Sequence, residues 1–543
     1  MFEFSRKVIS FILIANIIMK SKNQYFSYFV NLVFPACVFG VVSGGATAVI
    51  VLIYKMLAKY VIGASEEIYS LFGQYTYLIP IALGVLFFIA LALAAVYKKA
   101  PDLAGGGIPN SIGILRGVFS FSWLKSLWGT VALSLVTFFT GVPLGNEGPS
   151  VQIGTAVGKG CAKPVSKKHG VWSRYSMTGG ASAGFAVATG APVSGMMFVL
   201  EEAHQRISPM LLIVSAVSVS SAALLVELLS PILCVSATLF PRFSLMALSV
   251  KDLWLPVLIG AAVGFFSVLF LYYYRVISAF FVKKLKKVDQ KYKIFAVLAV
   301  TLVLGVISPD FISTGHELII SLFEGGEAIY MLILLLLMRT TLTLSANSVG
   351  MTGGIFIPLL SVGALFSALV GKGVIGVFGL SEEYFTVILM LGITACISGM
   401  MNMPLTAIAF AIEALSLGGN ILYVIISAAT SFIIVELFKA KSINDSVIDN
   451  KIEKLYPSSE KTVIDTHVTV REGSFAIGKQ VRDVFWPANL FVLSVKRAGQ
   501  EYSEIDEHGG IVLAEGDILH IRYSTYNNQI TEQELHSIIG GEK

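Results

Sequence analysis

Charge is scarce along most of this chain. Only 13% of its 543 residues are charged, whereas 55% are hydrophobic. This composition excludes a soluble enzyme built on one core and predicts a polytopic membrane protein. Cysteine is scarce too, and the four cysteines lie singly among apolar residues. They fit neither a disulfide framework nor a metal site, so we interpret them as packing groups.

The few charges are unevenly placed. Residues 451–543 hold 24 of the 73 charged side chains, 10 basic and 14 acidic, which gives this tail a net charge of −4. Because the whole chain carries +5, residues 1–450 carry +9. This excess of positive charge in residues 1–450 fits basic loops that face an anionic cytoplasmic leaflet. The sequence therefore predicts a membrane domain over residues 29–450 and a separate cytoplasmic domain over residues 451–543.

The N-terminal segment does not have the pattern of a cleaved secretory signal. Its apolar stretch is short, is mixed with charges, and has no small-residue cleavage site. We predict a cytoplasmic amphipathic helix over residues 1–28. No targeting signal follows, so the sequence favours a prokaryotic plasma membrane with both chain termini in the cytoplasm.

Beyond this segment, apolar runs predict an all-α membrane domain. Two further regions, residues 143–204 and 350–418, are apolar but punctuated by glycine and proline. We expect their segments to be too short or broken to span a bilayer alone, which requires burial in protein or a wet cavity. Runs long enough to cross a bilayer lie near residues 29–58, 77–97, 124–142, 209–235, 253–282, 294–308, 328–345 and 420–438.

The two broken regions repeat each other. Nine positions separate Pro192 from Glu201 and also Pro404 from Glu413, and the residues between them are similar. Upstream, Pro149-Ser150-Val151-Gln152-Ile153-Gly154 matches Pro358-Leu359-Leu360-Ser361-Val362-Gly363. Two linked matches in the same order favour an internal repeat over chance similarity. Interrupted segments at matching places in two halves predict inverted repeats, about 77–235 and 294–438, with a binding site between them.

One carboxylate, Glu147, lies inside an apolar run and directly before a helical pattern. Flanking glycines expose backbone N–H groups there, and a helix N-terminus attracts anions. A lone acid in a membrane segment indicates a functional site, although a carboxylate paired with a distant Arg or Lys is the alternative. The pattern predicts an anion site that contains its own proton acceptor.

Three glycine-rich segments stand out: Gly105-Gly106-Gly107-Ile108-Pro109, Gly145-Asn146-Glu147-Gly148-Pro149 and Gly353-Gly354-Ile355-Phe356-Ile357-Pro358. Together with the repeat, they resemble the three anion-binding signatures of the CLC family of chloride channels and proton-coupled chloride transporters, over about residues 30–450. The resemblance implies a CLC-like inverted repeat of broken helices, and a homodimer in which each subunit has its own pore. It also implies chloride held by helix N-termini, with the N–H groups of Ile355 and Phe356 as donors.

By this resemblance, Glu147 is the gating glutamate and Glu202 is the inner proton glutamate. The presence of both favours an antiporter that exchanges chloride for protons. Alternatives are a passive voltage- or pH-gated chloride channel, or a fluoride- or nitrate-selective member of the family. For Glu202, the alternative is an acid at the surface end of a helix. Glu201 fits a structural role, because Glu413 has the same spacing in the other repeat, and His204 fits a solvated loop. No nucleophile, metal cluster or cofactor motif is found, so we expect a transporter and not an enzyme.

Three positions depart from the family pattern. The usual serine of the first signature is Gly106, which removes a hydroxyl donor. The usual arginine before the gating acid is Asn146, which removes a positive charge beside Glu147. The pore tyrosine falls at Asn444, which suggests a looser inner gate. Chloride remains the first expected substrate, followed by nitrate, bromide and fluoride.

The tail has the pattern of a small β-rich α+β domain. Strands are predicted at residues 463–470 and 518–523, with a hairpin formed by residues 490–496 and 501–504 around a turn at 497–500. The tail resembles the C-terminal regulatory domain of potassium-channel and potassium-uptake proteins, the TrkA-C or RCK-C domain. Two interpretations stay open: the domain senses a small molecule or nucleotide, or it only strengthens dimer contacts.

Overall fold

A computed structural model describes residues 29–543 except 167–169, 244, 456–461, 488, 498–502, 505–508, 527 and 542–543. The helix predicted over residues 1–28 lies outside the described residues. The described part consists of a large helical unit up to residue 455, followed by a smaller unit that contains a sheet and one helix.

The helical unit begins with a π-helical turn at Phe29–Val33, and two more such turns, Val199–Ala203 and Phe280–Lys284, follow α7 and α9. Its α-helices are α1 (Phe34–Gln74), α2 (Ile79–Lys99), α3 (Gly107–Leu115), α4 (Trp123–Phe139), α5 (Glu147–Ser166), α6 (Gly170–Thr189), α7 (Pro192–Phe198), α8 (Pro209–Leu229), α9 (Trp254–Ala279), α10 (Gln290–Ile307), α11 (His316–Leu322), α12 (Ile329–Ser348), α13 (Phe356–Phe378), α14 (Glu383–Met401), α15 (Pro404–Glu413), α16 (Ile421–Leu437) and α17 (Ile443–Leu455).

Nine helical segments of the described chain are long and apolar enough to cross a membrane. They contain α1, α2, α8, α9, α10, α12, α13, α14 and α16. Seven of them coincide with predicted apolar runs, whereas the run near 124–142 forms α4, which has only 17 residues. The chain is a multi-pass membrane protein.

The prediction that the segments of residues 143–204 and 350–418 are too short or broken to span a bilayer alone is wrong for α13 and α14, which are among the nine long apolar segments. Helices α5 and α6 are unbroken in length but are not among those nine segments of the described chain. Helices α5 and α6 each have 20 residues, α13 has 23 and α14 has 19. Pro149 and Pro358 are each the third residue of a helix, where a missing N–H breaks no intrahelical hydrogen bond. A Cβ on Gly154 of α5 would collide with the Gly180 carbonyl of α6, so this glycine permits close packing.

The two helices that are short, α7 and α15, stabilise each other across the repeat. The Glu413 carboxylate at the end of α15 accepts hydrogen bonds from the N–H groups of Val193 and Ser194, each at 2.9 Å. The Glu201 carboxylate, just after α7, accepts the equivalent bonds from residues 405–406 of α15, each at 2.8 Å. Each carboxylate therefore caps the N-terminus of the other helix, as a two-fold relation between the repeats requires.

The smaller unit contains a four-stranded antiparallel sheet in the order β1-β4-β2-β3. The strands form close to where the alternating pattern predicts them. The turn predicted at 497–500 lies mostly outside the described residues, and the resemblance to a potassium-channel regulatory domain stays a prediction. The elements are β1 (Thr462–Thr469), β2 (Leu490–Lys496), β3 (Ser503–Glu504), β4 (Ile518–Thr525) and α18 (Asn528–Ile539).

The sheet unit packs against one face of the helical unit, which we name the sheet-side face. The Arg174 guanidinium of α6 lies 4.1 Å from the centroid of the Phe485 ring and donates a 3.2 Å hydrogen bond to the Phe485 carbonyl. Arg206 donates to the Leu490 carbonyl at 2.9 Å. The Trp172 ring of α6 meets the Phe475 ring of the sheet unit, and Phe39, near the start of α1, stacks on the same Trp172 ring. Helix α1 therefore begins at the sheet-side face, and its length carries its other end to the opposite face.

Candidate functional site

The three glycine-rich segments predicted to bind the anion lie together, although they are far apart in sequence. Gly145 and Gly354 exchange two backbone hydrogen bonds of 2.6 and 2.7 Å. A Cβ on Gly107 would collide with the Gly148 carbonyl, and a Cβ on Gly148 would lie 2.7 Å from the Cα atom of Gly354. The backbones therefore touch at positions that only glycine can occupy without a shift.

The helices that follow these segments begin side by side. Helix α3 begins at Gly107, α5 at Glu147 and α13 at Phe356. In the described chain, the backbone N–H groups of Ile355 and Phe356 have no acceptor. Three helix N-termini thus direct positive potential to one place. The neighbouring side chains that wall this place are buried and apolar, namely Ile108, Pro109, Pro149, Ile357 and Pro358.

Glu147 lies at this convergence and is completely buried. Neither of its carboxylate oxygens has a hydrogen-bond partner within the described residues. The N–H groups of Glu147 itself and of Ile357 are close enough to stabilise the carboxylate, but neither meets hydrogen-bond geometry. A Cβ on Gly145 would collide with Oε2 of Glu147, so a glycine there gives the carboxylate its space. A buried carboxylate without a fixed partner is costly, which is typical of a functional group.

A cavity of about 1150 Å³ leads from the opposite face of the protein to this place. Its deep end is lined by Asn146 and Ile357, the neighbours of the buried carboxylate, and its outer part by the end of α1, which contributes Glu66 and Tyr69. Asn146, which stands where the family pattern has an arginine, is half-buried and lines this cavity with its amide side chain.

The structure brings a positive charge to the cavity from another element. Lys55 of α1 lines the cavity wall and acts electrostatically on Glu147. Its ammonium donates to the carbonyls of Val187, Ala188 and Ser236 at 3.0, 3.3 and 3.3 Å, and no described carboxylate forms an ion pair with it. The alternative of Glu147 locked in an ion pair does not hold, because these two groups are not in contact.

Phe356 combines a packing role with its place at the anion site. Its side chain is fully buried and meets the rings of Phe185 and Phe410 edge-on, at centroid distances of 5.2 and 5.4 Å. Phe185 in turn stacks on Phe198 at 5.0 Å. This aromatic cluster fixes the first turn of α13, so that its free N–H groups stay in position.

Glu202 is also buried, with 3% of its surface exposed, which excludes an acid at the surface end of a helix. Asn444, itself fully buried, donates to Oε1 of Glu202 at 3.2 Å. Arg116 donates to the backbone carbonyl of Glu202 at 2.7 Å and forms an ion pair with Asp445 at 2.9 Å. Asn444 therefore belongs to the surroundings of Glu202 on the sheet-side face and not to the glycine cluster.

The interpretation of His204 as a solvated loop residue is wrong. Its ring is half-buried, lies 2.9 Å from the Thr178 hydroxyl through Nε2, and meets the Phe485 ring at a centroid distance of 4.9 Å. The sheet unit covers it, and the local sequence gives no sign of that contact.

Sequence reasoning missed three basic residues: Lys55 and Arg116, which act on the two acids, and Arg339, which lines the cavity. The Arg339 guanidinium lines the cavity and donates to backbone carbonyls, including those of Asp310 and Ile312 at 2.7 and 2.8 Å. Lys55 and Arg339 each stand as a basic residue within a predicted apolar run. An ionisable residue inside a membrane segment is the signal that could have identified both.

Comparison with known proteins supports this architecture. A family model described as voltage gated chloride channel matches residues 85–436. The chain is 28% identical over 364 residues to the H(+)/Cl(-) exchange transporter ClcA of Vibrio cholerae, which covers 66% of this chain and 76% of that protein.

Solved structures have the same fold. A slow cyanobacterial Cl-/H+ antiporter superposes with a TM-score of 0.69 and 23% identity, covering 77% of this chain and 98% of that one. A eukaryotic CLC transporter superposes with a TM-score of 0.64 and 18% identity, covering 77% and 74% of the two chains. The family match spans more than half of the sequence and includes both buried acids and all three glycine-rich segments. The chain therefore belongs to the voltage gated chloride channel family.

Proposed function

We propose that the protein is a secondary active transporter that exchanges chloride for protons, with Glu147 as the gating acid and Glu202 as the inner proton acid. One observation carries this proposal: the Glu147 carboxylate is buried, has no fixed partner among the described residues, and lies where three helix N-termini meet. These termini favour one negative charge, and the carboxylate supplies it when no anion is bound.

Competition between Glu147 and the anion provides the coupling. A charged carboxylate and a chloride repel each other in a desolvated site, so they exclude one another. Protonation removes the charge of Glu147, which lets its side chain leave while chloride takes its place at the free N–H groups of Ile355 and Phe356. Several such donors offset the dehydration of the anion without a lysine that would hold it too long.

Glu202 completes the proton path towards the sheet-side face. Its burial and its hydrogen bond from Asn444 suit a group that holds a proton away from bulk water. The amide of Asn444, in place of the tyrosine of the family pattern, gives this acid a donor. We propose that Asn444 orients Glu202 for proton transfer and leaves the inner gate looser.

The relatives support the proposed exchange of chloride for protons, since the Vibrio cholerae relative is named as an H(+)/Cl(-) exchange transporter. The glycine at position 106 removes a side-chain donor, so backbone groups and water must hold the anion. Chloride is the first substrate by this reasoning, and nitrate, bromide and fluoride are the next to test. We propose no cofactor and no enzymatic activity.

Purified protein in liposomes tests the proposal. An imposed chloride gradient should drive protons uphill in the wild type. Glu202→Gln should abolish proton movement while chloride flux persists, and Glu147→Gln should abolish it and make chloride flux independent of pH. Glu453→Gln, which changes an exposed acid of α17, is the control and should behave as the wild type. Chloride flux without uphill proton movement in the wild type would show a passive channel instead.

For the domains, we propose a membrane transport domain over residues 29–450 and a regulatory domain over 451–543, in a homodimer of a prokaryotic plasma membrane with cytoplasmic termini. The support for regulation is the packing of Phe485 against His204, two residues from Glu202. Phe485→Ala should alter the rate of proton-coupled chloride flux, whereas Val463→Ala, at an exposed position of β1, should not. Equal rates for both variants would leave the tail without a regulatory role.

A further inference from the structure

A single lysine faces the buried carboxylate across the cavity. Lys55 is the cation whose charge acts on Glu147, and Glu147 is the acid whose charge acts on Lys55. Both Lys55 and Asn146, the residue directly before the acid, line the same cavity. The lysine therefore stands on the route by which an anion reaches Glu147.

The ammonium group is held in place without being neutralised. Its three hydrogen bonds go to backbone carbonyls, and two of these, from Val187 and Ala188, belong to the last turn of α6. The C-terminal end of a helix dipole favours a cation, which keeps this one in position. Because no described carboxylate is paired with it, its field extends into the cavity.

The other charged and titratable groups around the cavity are engaged elsewhere or lie farther out. On α1 these are Lys59, Glu66 and Tyr69, while Tyr54 lies outside the cavity lining and donates to Ser134. On other elements they are Asp310, His316, Glu317 and Arg339, and the arginine is held by carbonyls and by the charge of Asp310. None of these is a cation that acts on Glu147.

We propose that Lys55 is the positioning cation of the gate: it supplies, from α1, the positive charge that Asn146 does not supply beside Glu147. The inference rests on the proposed function. The charge stabilises the ionised carboxylate at the anion site and so sets the pH at which Glu147 is released. It also draws small monovalent anions into the deep end of the cavity, which lowers the chloride concentration needed for transport.

The test measures chloride flux in proteoliposomes over a series of pH values and chloride concentrations. Lys55→Met should raise the pH of half-maximal flux by about 1 unit, the lower end of the effect that an opposite charge has on a carboxylate, because the two groups share the cavity without forming an ion pair. It should also raise the KM for chloride. Lys55→Arg keeps the charge and should match the wild type.

A relocated charge separates electrostatics from packing. Asn146→Arg, combined with Lys55→Met, should return the pH profile towards that of the wild type. Asn146→Arg alone should shift the pH profile of chloride flux to lower pH. This variant tests whether a nearby positive charge sets the pH at which Glu147 is released, even if Lys55→Met does not fold.

The inference is overturned if Lys55→Met leaves the pH profile unchanged, or if Asn146→Arg moves it neither alone nor in combination with Lys55→Met. A wild type that couples chloride to protons, together with an unmoved Lys55→Met profile, refutes the role of Lys55 alone. A wild type that moves no protons refutes the proposed function itself.

Discussion

Two adjacent glutamates, Glu201 and Glu202, should separate stability from transport. The Glu201 carboxylate caps α15 through the N–H groups of Leu405 and Thr406 and also accepts a 2.7 Å bond from the Thr406 hydroxyl. Glu202 makes one side-chain hydrogen bond, to Asn444. Replacing each with glutamine changes charge and hydrogen bonding but hardly changes volume, so the two variants form a matched pair.

These contacts determine how much Glu201→Gln should lower the free energy of unfolding. Glutamine has one acceptor oxygen and places an NH2 group against a backbone donor, so one charge-assisted hydrogen bond is lost, at about 1.5–3 kcal/mol. The attraction between the carboxylate and the helix N-terminus adds about 0.3–1 kcal/mol. Glu413→Gln perturbs the equivalent backbone hydrogen bonds at α7, but Glu413 accepts no hydroxyl bond like the one from Thr406. Its effect on the free energy of unfolding should therefore be about 1 kcal/mol smaller than that of Glu201→Gln.

Thermal unfolding in detergent and coupled flux in liposomes are the two measurements. We expect the Tm to fall in the order wild type, Glu413→Gln, Glu201→Gln, while both variants keep proton coupling. Glu202→Gln should show the opposite pattern, with a Tm near that of the wild type and no proton movement. The reasoning is refuted if Glu201→Gln keeps the wild-type Tm, or if it abolishes coupling as Glu202→Gln does.

Two further predictions concern the gate and the tail. Gly145→Ala should displace the Glu147 carboxylate, because the new Cβ would collide with it, and should make chloride flux less dependent on pH; Gly84→Ala, at a position with open space, is the control, and equal pH profiles would contradict the contact. In the sheet unit, burial alone would raise the pKa of Asp517, but hydrogen bonds from Arg497 and Ala514 outweigh it and hold this pKa below its usual value. A lowered pKa stabilises the fold above the unfolded-state value of about 4 and loses that contribution as the pH falls further. The protection factors of the β4 amides in the full-length protein, corrected for the intrinsic exchange rate, should therefore fall below about pH 4. Asp517→Asn should lower the free energy of unfolding by about 1–3 kcal/mol, more than Asp465→Asn at a half-exposed position; equal protection in both variants would contradict this.

Much of the fold was accessible from the sequence because membrane composition and repetition leave strong signals. Helices formed where long apolar runs stand, and strands formed where the tail alternates. The error lay in residues 350–418, where α13 and α14 are long and apolar enough to span although glycine and proline were interpreted as breaks. Pro149 and Pro358 lie in the first turn of their helices, and Gly154 packs against Gly180, so the same residues that break isolated helices permit long, closely packed ones here.

The candidate site was accessible only in part. The three glycine-rich segments and Glu147 could be identified because their residue types carry the chemistry locally. The surroundings of each acid could not be identified in this way. Asn444 meets Glu202 across 242 positions of sequence, and His204 meets a ring of the sheet unit. No periodicity or spacing records such pairs.

The sequence by itself determined a membrane protein of inverted repeats with acids at the ends of apolar runs, because hydropathy, helix initiation and repeated spacing are local properties of the chain. Only the tertiary structure decided which charges act on those acids. Lys55 reaches the surroundings of Glu147 because α1 packs beside the end of α6, where backbone carbonyls hold its ammonium group. Electrostatic coupling depends on distance in space, and packing between distant segments sets that distance.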